Sequence, residues 1–405
     1  MHQRIPNSEM ETGGRASEVF RVFLGLGLTS FGGPVAHLGY FREAFVVRRK
    51  WISEPAYADL VALCQFLPGP ASSQVGMAIG LQRAGYAGLL AAWTAFTLPS
   101  AILLIAFAYG APILGEAAGT GWIQGLKAAA VAVVAHAVLG MARSLVPDKE
   151  RATVAVLGMI LAMLAPSALG QVAVILLGGL IGLAWFRSPA PKDGEHGELS
   201  VPVRKKTGAI LLATFAALLL LLPAIAAATG DPAARMIDSF YRAGSLVFGG
   251  GHVVLPLLQA EVVETGLVGK EEFLAGYGAA QAVPGPLFTF AAYLGAVHNG
   301  EPSGLYGAVL ALLAIFLPSA LLIAGGLPFW EALRRASIVR RALMGVNAAV
   351  VGLLAAALYD PVFTEGITSK AAMAIAAAGF VALAAWNIPA WAVVMAAGFA
   401  GFAAL

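Results

Sequence analysis

Two motifs interrupt otherwise apolar sequence near the start of this chain, and both return in its second half. The first is Ser30-Phe31-Gly32-Gly33-Pro34. The second is Gln65-Phe66-Leu67-Pro68-Gly69-Pro70-Ala71-Ser72-Ser73-Gln74. Their echoes are Phe248-Gly249-Gly250-Gly251 and Gln281-Ala282-Val283-Pro284-Gly285-Pro286. Proline lacks a backbone N–H and clashes with the preceding turn, and glycine costs backbone entropy inside a helix. Such breaks do not suit the middle of an ordinary membrane helix. Their surroundings are nevertheless membrane-like: 59% of the 405 residues are hydrophobic and 12% are charged, where a soluble domain carries about 25% charged residues. The composition predicts an all-α polytopic membrane protein.

The remaining composition excludes several classes. A net charge of +3 reflects Lys and Arg in cytoplasmic loops of a membrane protein and gives no reason to expect a nucleic-acid partner. One cysteine, Cys64, rules out an intramolecular disulfide and a multi-cysteine metal site. No cofactor or metal is expected. Residues 1–15 are polar, lack the apolar core of a signal peptide, and read as a cytoplasmic tail.

Apolar runs fall at about 19–41, 56–82, 85–109, 122–142, 152–165 and 170–186, then again at 236–259, 272–297, 304–326, 342–358, 371–386 and 389–405. Between the two sets lie a Pro/Gly/charge-rich linker at 187–206 and an unmatched run at 207–229. The sets are colinear. Phe31-Gly32-Gly33 aligns with Phe248-Gly249-Gly250, and Gln65-x-x-Pro68-Gly69-Pro70 with Gln281-x-x-Pro284-Gly285-Pro286. Leu98-Pro99-Ser100-Ala101 aligns with Leu317-Pro318-Ser319-Ala320, and Gly125 with Gly345, at offsets of 216 to 220. Four matches in order at a nearly constant offset define an internal repeat. The expected organisation is a first repeat over 16–186, a cytoplasmic linker over 187–206, a linking transmembrane helix over 207–229 and a second repeat over 230–405.

Loop charge predicts that the repeats are inverted. The loop after the first segment carries Arg42, Arg48, Arg49 and Lys50; its counterpart carries Glu261, Glu264, Lys270, Glu271 and Glu272. Residues 110–121 hold no Lys or Arg, whereas the matching loop holds Arg334, Arg335, Arg340 and Arg341. Since Lys and Arg mark the cytoplasmic side, positive charge has switched sides between repeats. The N-terminus is then cytoplasmic and the C-terminus outside. Counting crossings makes each broken segment a re-entrant helical hairpin: two per repeat, beside about four spanning helices per repeat and the one extra transmembrane helix. The total is about nine full spans. Irregular backbone at membrane depth needs protein or a water-filled cavity around it, so the four hairpins should meet at the centre.

At these residues the chain resembles the chromate transporter family in its long, two-domain form. The matching features are Ser30-Phe31-Gly32-Gly33-Pro34, Cys64-Gln65-x-x-Pro68-Gly69-Pro70-Ala71, Phe248-Gly249-Gly250-Gly251-His252 and Gln281-Ala282-Val283-Pro284-Gly285-Pro286. They sit in a likeness running from about Val19 to Tyr359. The resemblance implies export of chromate across the cell (inner) membrane, with sulfate as a related oxyanion and coupling to the proton motive force.

Chromate and sulfate are tetrahedral dianions, and helix N-termini offer free N–H groups and partial positive charge to such ligands. Broken helices aim these termini at anions near the midplane of transporters. The expected site is where the Pro-Gly-Pro tips meet. Its residues are Ser30, Phe31, Gly32, Gly33, Gln65, Pro68, Gly69, Pro70, Ser72 and Ser73 from the first repeat. Gly249, Gly250, Gly251, Gln281, Pro284, Gly285, Pro286 and Thr289 come from the second. Lys127, in an apolar segment where its counterpart is Asn347, either attracts the anion or snorkels to the interface. His37, Asp59 and His252 are the candidates for proton coupling, against the plainer readings of structural histidines and a helix N-terminal charge. His136, in an apolar setting, reads as packing.

The motifs also admit a plainer reading as turns and helix-packing points. A passive anion channel, or a transporter of another oxyanion, stays open. A membrane-embedded phosphatase is disfavoured, because the tips carry no acid and no His/Asp/Glu group has ligand spacing. A homodimer is left open, since the duplication already supplies two halves.

Overall fold

The structure is a computed structural model and describes residues 14–187, 202–248 and 250–405. Gly249, most of the expected tail and most of the 187–206 linker lie outside the described residues. Every regular element among the described residues is helical.

The first repeat runs α1 (Ala16–Thr29), α2 (Gly33–Phe41), α3 (Glu54–Phe66), α4 (Ala71–Ala118), α5 (Gly121–Leu145), α6 (Lys149–Leu164) and α7 (Ala168–Trp185). α8 (Lys205–Thr229) follows, unmatched. The second repeat runs α9 (Pro232–Ser245), α10 (Val254–Leu258), α11 (Lys270–Ala282), α12 (Phe290–Ala296), α13 (Gly304–Gly326), α14 (Trp330–Arg335), α15 (Ser337–Ala357), α16 (Thr364–Gly366), α17 (Lys370–Ala384) and α18 (Ala390–Ala404). Both α2 and α10 continue into wider π-type turns, Arg42–Arg48 and Gln259–Val263. Helix starts follow local chemistry. Ser53 accepts from the Ala56 N–H and Pro55 fills the first turn of α3; Asp231 accepts from Ala233 and Ala234 before Pro232 of α9.

At all four breaks the chain doubles back. A straight helix would put Phe23 and Phe41 about 27 Å apart, yet their ring centroids lie 5.6 Å apart, with Phe45 at 5.0 Å from Phe23. Across the second break the Arg83 guanidinium lies 5.1 Å over the Trp51 ring. Across the third, Arg242 of α9 meets Glu261. Across the fourth, the Tyr293 hydroxyl donates to the Glu272 carbonyl at 3.1 Å, and Phe273 and Phe290 sit 5.2 Å apart. α4 is itself two helices, 71–83 and 86–118. The backbone turns at Ala84 and Gly85, and Gly80 and Gly88 pack face to face with no room for a Cβ on either.

The repeats interlock. α6 and α7 pack on α15 of the second repeat, while α17 and α18 pack on α5 of the first. The closest points are equivalent. A Cβ on Gly345 would stand 2.0 Å from the Gly178 carbonyl, and one on Gly125 would stand 2.1 Å from the Ala397 carbonyl. Small residues allow this approach of backbones in membrane helices.

Six helical stretches among the described residues are long and apolar enough to cross a membrane: Ala71–Gly115, Gly121–Leu145, Ala168–Trp185, Lys205–Thr229, Gly304–Leu333 and Ser337–Gly366. Three of the nine expected full spans are shorter. α6, α17 and α18 hold 16, 15 and 15 residues, about 22–24 Å against a hydrocarbon core of about 30 Å. Tight links end them early: Ser167 caps α7 directly after Pro166, and Asn387 takes a left-handed φ of 55° after α17.

Candidate functional site

The centre is built from one backbone contact made twice. The Gly69 N–H donates to the Val247 carbonyl at 2.7 Å, and the Gly285 N–H donates to the Ser30 carbonyl at 2.9 Å. Each Pro-Gly-Pro tip thus docks on the glycine-rich break of the opposite repeat, rather than pairing with the other Pro-Gly-Pro tip. Both positions demand glycine. Their φ angles are 119° and 102°, a region that residues with a Cβ rarely enter. A Cβ would also stand 2.5 Å from Ser319 Oγ at Gly69, and 2.8 Å from Ser100 Oγ at Gly285.

Those two serines are equivalent members of the Leu-Pro-Ser-Ala repeat, and both are fully buried. Ser100 donates to the Thr97 carbonyl at 3.0 Å, within its own helix. Ser319 Oγ has no partner among the described residues; nor do Ser30 Oγ, Ser73 Oγ, Gln74 Oε1 and Thr97 Oγ1. Buried hydroxyls and amides are ordinarily satisfied. This concentration of unpaired groups around the tips suits a polar ligand or ordered water. Gln74 Nε2 is committed to the Pro68 carbonyl at 2.7 Å, bracing the turn, and Thr289 Oγ1 to the Pro286 carbonyl at 2.6 Å. His37 joins the first two hairpins: Nε2 lies 3.2 Å from the Ser30 carbonyl, Nδ1 lies 3.4 Å from Ser72 Oγ, and the ring stands edge-on to Phe96.

A cavity of about 370 Å³ reaches the Gly285 tip. Phe31, Gly32, Gly33, His136, His252, Gln281, Gly285 and Asn387 line it, with apolar walls from α5, α17 and the start of α18. None of its lining residues is Asp, Glu, Lys or Arg. His252 Nδ1 lies 3.0 Å from the Tyr277 hydroxyl, and Gln281 Nε2 has no partner among the described residues. The equivalent place in the other half is smaller, about 160 Å³. Leu353 and Ala356 there stand for Val133 and His136 at the repeat offset. Gln171, Gln259, Glu264, Lys270 and Asp360 add polar groups, and no tip residue lines it.

The expected residues therefore divide. Phe31, Gly32, Gly33, His252, Gln281 and Gly285 share the cavity. Ser30, Pro68, Gly69, Pro70, Ser72, Ser73, Pro284, Pro286 and Thr289 belong to the tips without lining it, as do Gly250 and Gly251 at the start of the turn leading to α10. Gln65 is exposed and half-buried Asp59 sits on α3, ten residues before Gly69. Lys127 is not at the tips. Its side chain is fully buried and its Nζ points to Glu271 Oε1 at 3.4 Å. Glu271 stands at the start of α11, and 13 residues of mostly helical chain, about 20 Å, separate it from Pro284. That carboxylate is the partner its ammonium faces. His136, read as packing, faces the cavity. Ser100, Ser319 and Thr97 were not singled out as site residues. Their signal was the Pro-Ser pair recurring within a helix.

The sequence model of the family described as "Chromate transporter" matches residues 17–183 and 234–402, once per repeat. The chain is 29% identical to the chromate transport protein of Pseudomonas aeruginosa over 95% of this chain and 91% of that one. It is 28% identical to a probable chromate transport protein of Synechococcus elongatus over 84% and 83%. It is 27% identical to a chromate transport protein of Cupriavidus metallidurans over 83% and 80%. These relatives are named as transport proteins, which sets the phosphatase reading aside. No solved structure matches. The chain belongs to the chromate transporter family.

Proposed function

We propose that the protein is a secondary-active transporter that exports chromate from the cytoplasm, with sulfate as a related substrate and the proton motive force as driver. The anion is held at the hairpin tips near the membrane midplane, by backbone N–H groups and hydroxyls in place of a fixed cation. The observation that carries this reading is the reciprocal docking of Gly69 and Gly285 on the opposite repeats, beside unpaired buried Ser30, Ser73 and Ser319 hydroxyls. Preorganised neutral donors hold a dianion while leaving it free to depart, as transport requires.

The hairpins are re-entrant and the repeats inverted in this reading, with the N-terminus cytoplasmic, the C-terminus outside and the protein in the inner membrane. Loop Lys and Arg support that orientation. The 370 Å³ cavity then opens toward the cytoplasm, beside the end of α5 and the α17–α18 link, and the smaller recess lies outside.

Radiolabelled chromate and sulfate uptake into everted vesicles tests the reading. Uptake should rise when the vesicle lumen is acidified and should fall in Ser319→Ala. Uptake indifferent to an imposed pH gradient overturns proton-coupled export, and uptake that follows the potential alone makes the protein a passive channel. Wild-type affinity in both Ser319→Ala and Ser72→Ala overturns the site.

A further inference from the structure

The third hairpin contains a buried charge cluster that the anion site does not use. Arg242 of α9 binds Asp238, one turn earlier, through Nη2. It also reaches across the hairpin to Glu261, with Nε 2.8 Å from Oε1 and Nη2 3.3 Å from Oε2. The side chains of Asp238, Glu261 and Arg242 are 10%, 7% and 21% exposed. One guanidinium thus faces two carboxylates, and the group carries a formal charge of −1 when both acids are ionised.

Neighbouring elements do not cancel that charge. α13 offers Tyr306 alone, and α7 and α10 have no titratable residue. On α8, Lys205 and Lys206 stand in the first turn, ten residues before Phe215, whose carbonyl accepts from the Tyr241 hydroxyl. Arg235 reaches the Gly230 carbonyl. On α11, Glu271 meets Lys127 and Glu272 accepts from the Gly269 N–H, while Lys270 lines the outer recess with Glu264. The Ser239 hydroxyl also hydrogen-bonds the Glu261 carboxylate.

The hairpin does not need the triad in order to pack. At the repeat offset, Asp238, Arg242 and Glu261 correspond to Arg21, Gly25 and Ala44. The first hairpin closes instead on Phe23, Phe41 and Phe45. Buried ion pairs are often no more stabilising than apolar side chains of similar volume, and ionisable groups inside membrane segments mark ion paths. Uptake of one proton by either acid removes the uncompensated charge.

We infer that Asp238 and Glu261, held on Arg242, form a one-proton site that couples proton entry to anion export. The inference rests on the transporter reading above. A carboxylate takes a proton from the outer side, the triad becomes neutral, and the proton leaves to the cytoplasm as the cycle returns.

Proteoliposomes containing wild type, Glu261→Gln, Asp238→Asn and Glu261→Asp test it. The ratio of chromate uptake with a pH gradient to uptake without one should fall at least tenfold toward unity in Glu261→Gln, whatever the absolute rate. Glu261→Asp should keep the ratio and shift its pH midpoint. Proton uptake by the purified protein, followed with a pH indicator, should drop by about one proton in the D238N/E261Q double variant. Wild-type ratios in both neutral variants overturn the assignment, as does an unshifted profile in Glu261→Asp if the neutral variants fail to fold. A wild type that ignores the gradient refutes coupled export instead. The proton count then judges the site alone, and an unchanged count overturns it.

Discussion

The tips at Gly69 and Gly285 make the same hydrogen bond to opposite repeats, yet the chain after each is different. After Pro70 come Ser72, Ser73 and Gln74, all buried, with one hydroxyl and one amide oxygen unpaired. After Pro286 come Leu287, Phe288 and Thr289, whose hydroxyl is spent on its own turn. The open cavity lies on the side of the second, less polar tip. Symmetric backbone sets the distances between the halves, and unequal side chains decide which half leaves buried polar groups unpaired and which faces an opening. The same division recurs in the first and third hairpins, phenylalanines in one and an ion triad in the other.

The largest effects are expected where the two tips are most alike. Gly69→Ala and Gly285→Ala each force a Cβ into a left-handed backbone and against a serine hydroxyl. Each should destabilise the protein by about 1–3 kcal/mol and cut chromate uptake by at least tenfold, measured by thermal unfolding in detergent and by vesicle flux. A tip that tolerates alanine would break the equivalence of the halves.

Next are the serines, where the tips differ. Ser319 Oγ is unpaired while Ser100 Oγ is satisfied within its own helix. Ser319→Ala should raise the half-saturating chromate concentration about five- to tenfold, the net cost of about one hydrogen bond. Ser100→Ala should change it less than twofold. Equal effects would place the anion midway between the repeats.

A smaller effect is expected at His136→Ala. It removes a cavity-lining ring whose counterpart is Ala356, and uptake should fall about two- to threefold. The smallest belongs to Lys127→Ala. Its ammonium faces Glu271 at the start of α11 rather than the tips, so half-saturation should stay within about twofold of wild type. A tenfold loss of affinity would return Lys127 to the anion path.

Much of the architecture was legible. Local rules put turns at Pro68-Gly69-Pro70 and Pro284-Gly285-Pro286, and a constant offset revealed the duplication with α8 outside it. Glycine pairs such as Gly125 and Gly345 were visible as repeat members but not as contacts, because their partners Ala397 and Gly178 lie far along the chain. Glu261 was counted as loop charge. It became a buried acid only because the turn near Gly250 folds it back onto Arg242, 19 residues earlier. Lys127 was read from an apolar segment without sight of Glu271, 144 residues away.

By itself the sequence determined the helical class, the repeat, the four breaks and their glycine requirement, since these follow from hydropathy, backbone sterics and period. Only the tertiary structure decided that each tip docks on the other repeat's glycine break, that Ser100 and Ser319 stand against those tips, and that Arg242 holds two acids. The tip pairings depend on how two interlocked repeats register across about 180 to 255 residues of chain, and the Arg242–Glu261 pairing on the turn between them; no local rule of φ, hydropathy or charge encodes either.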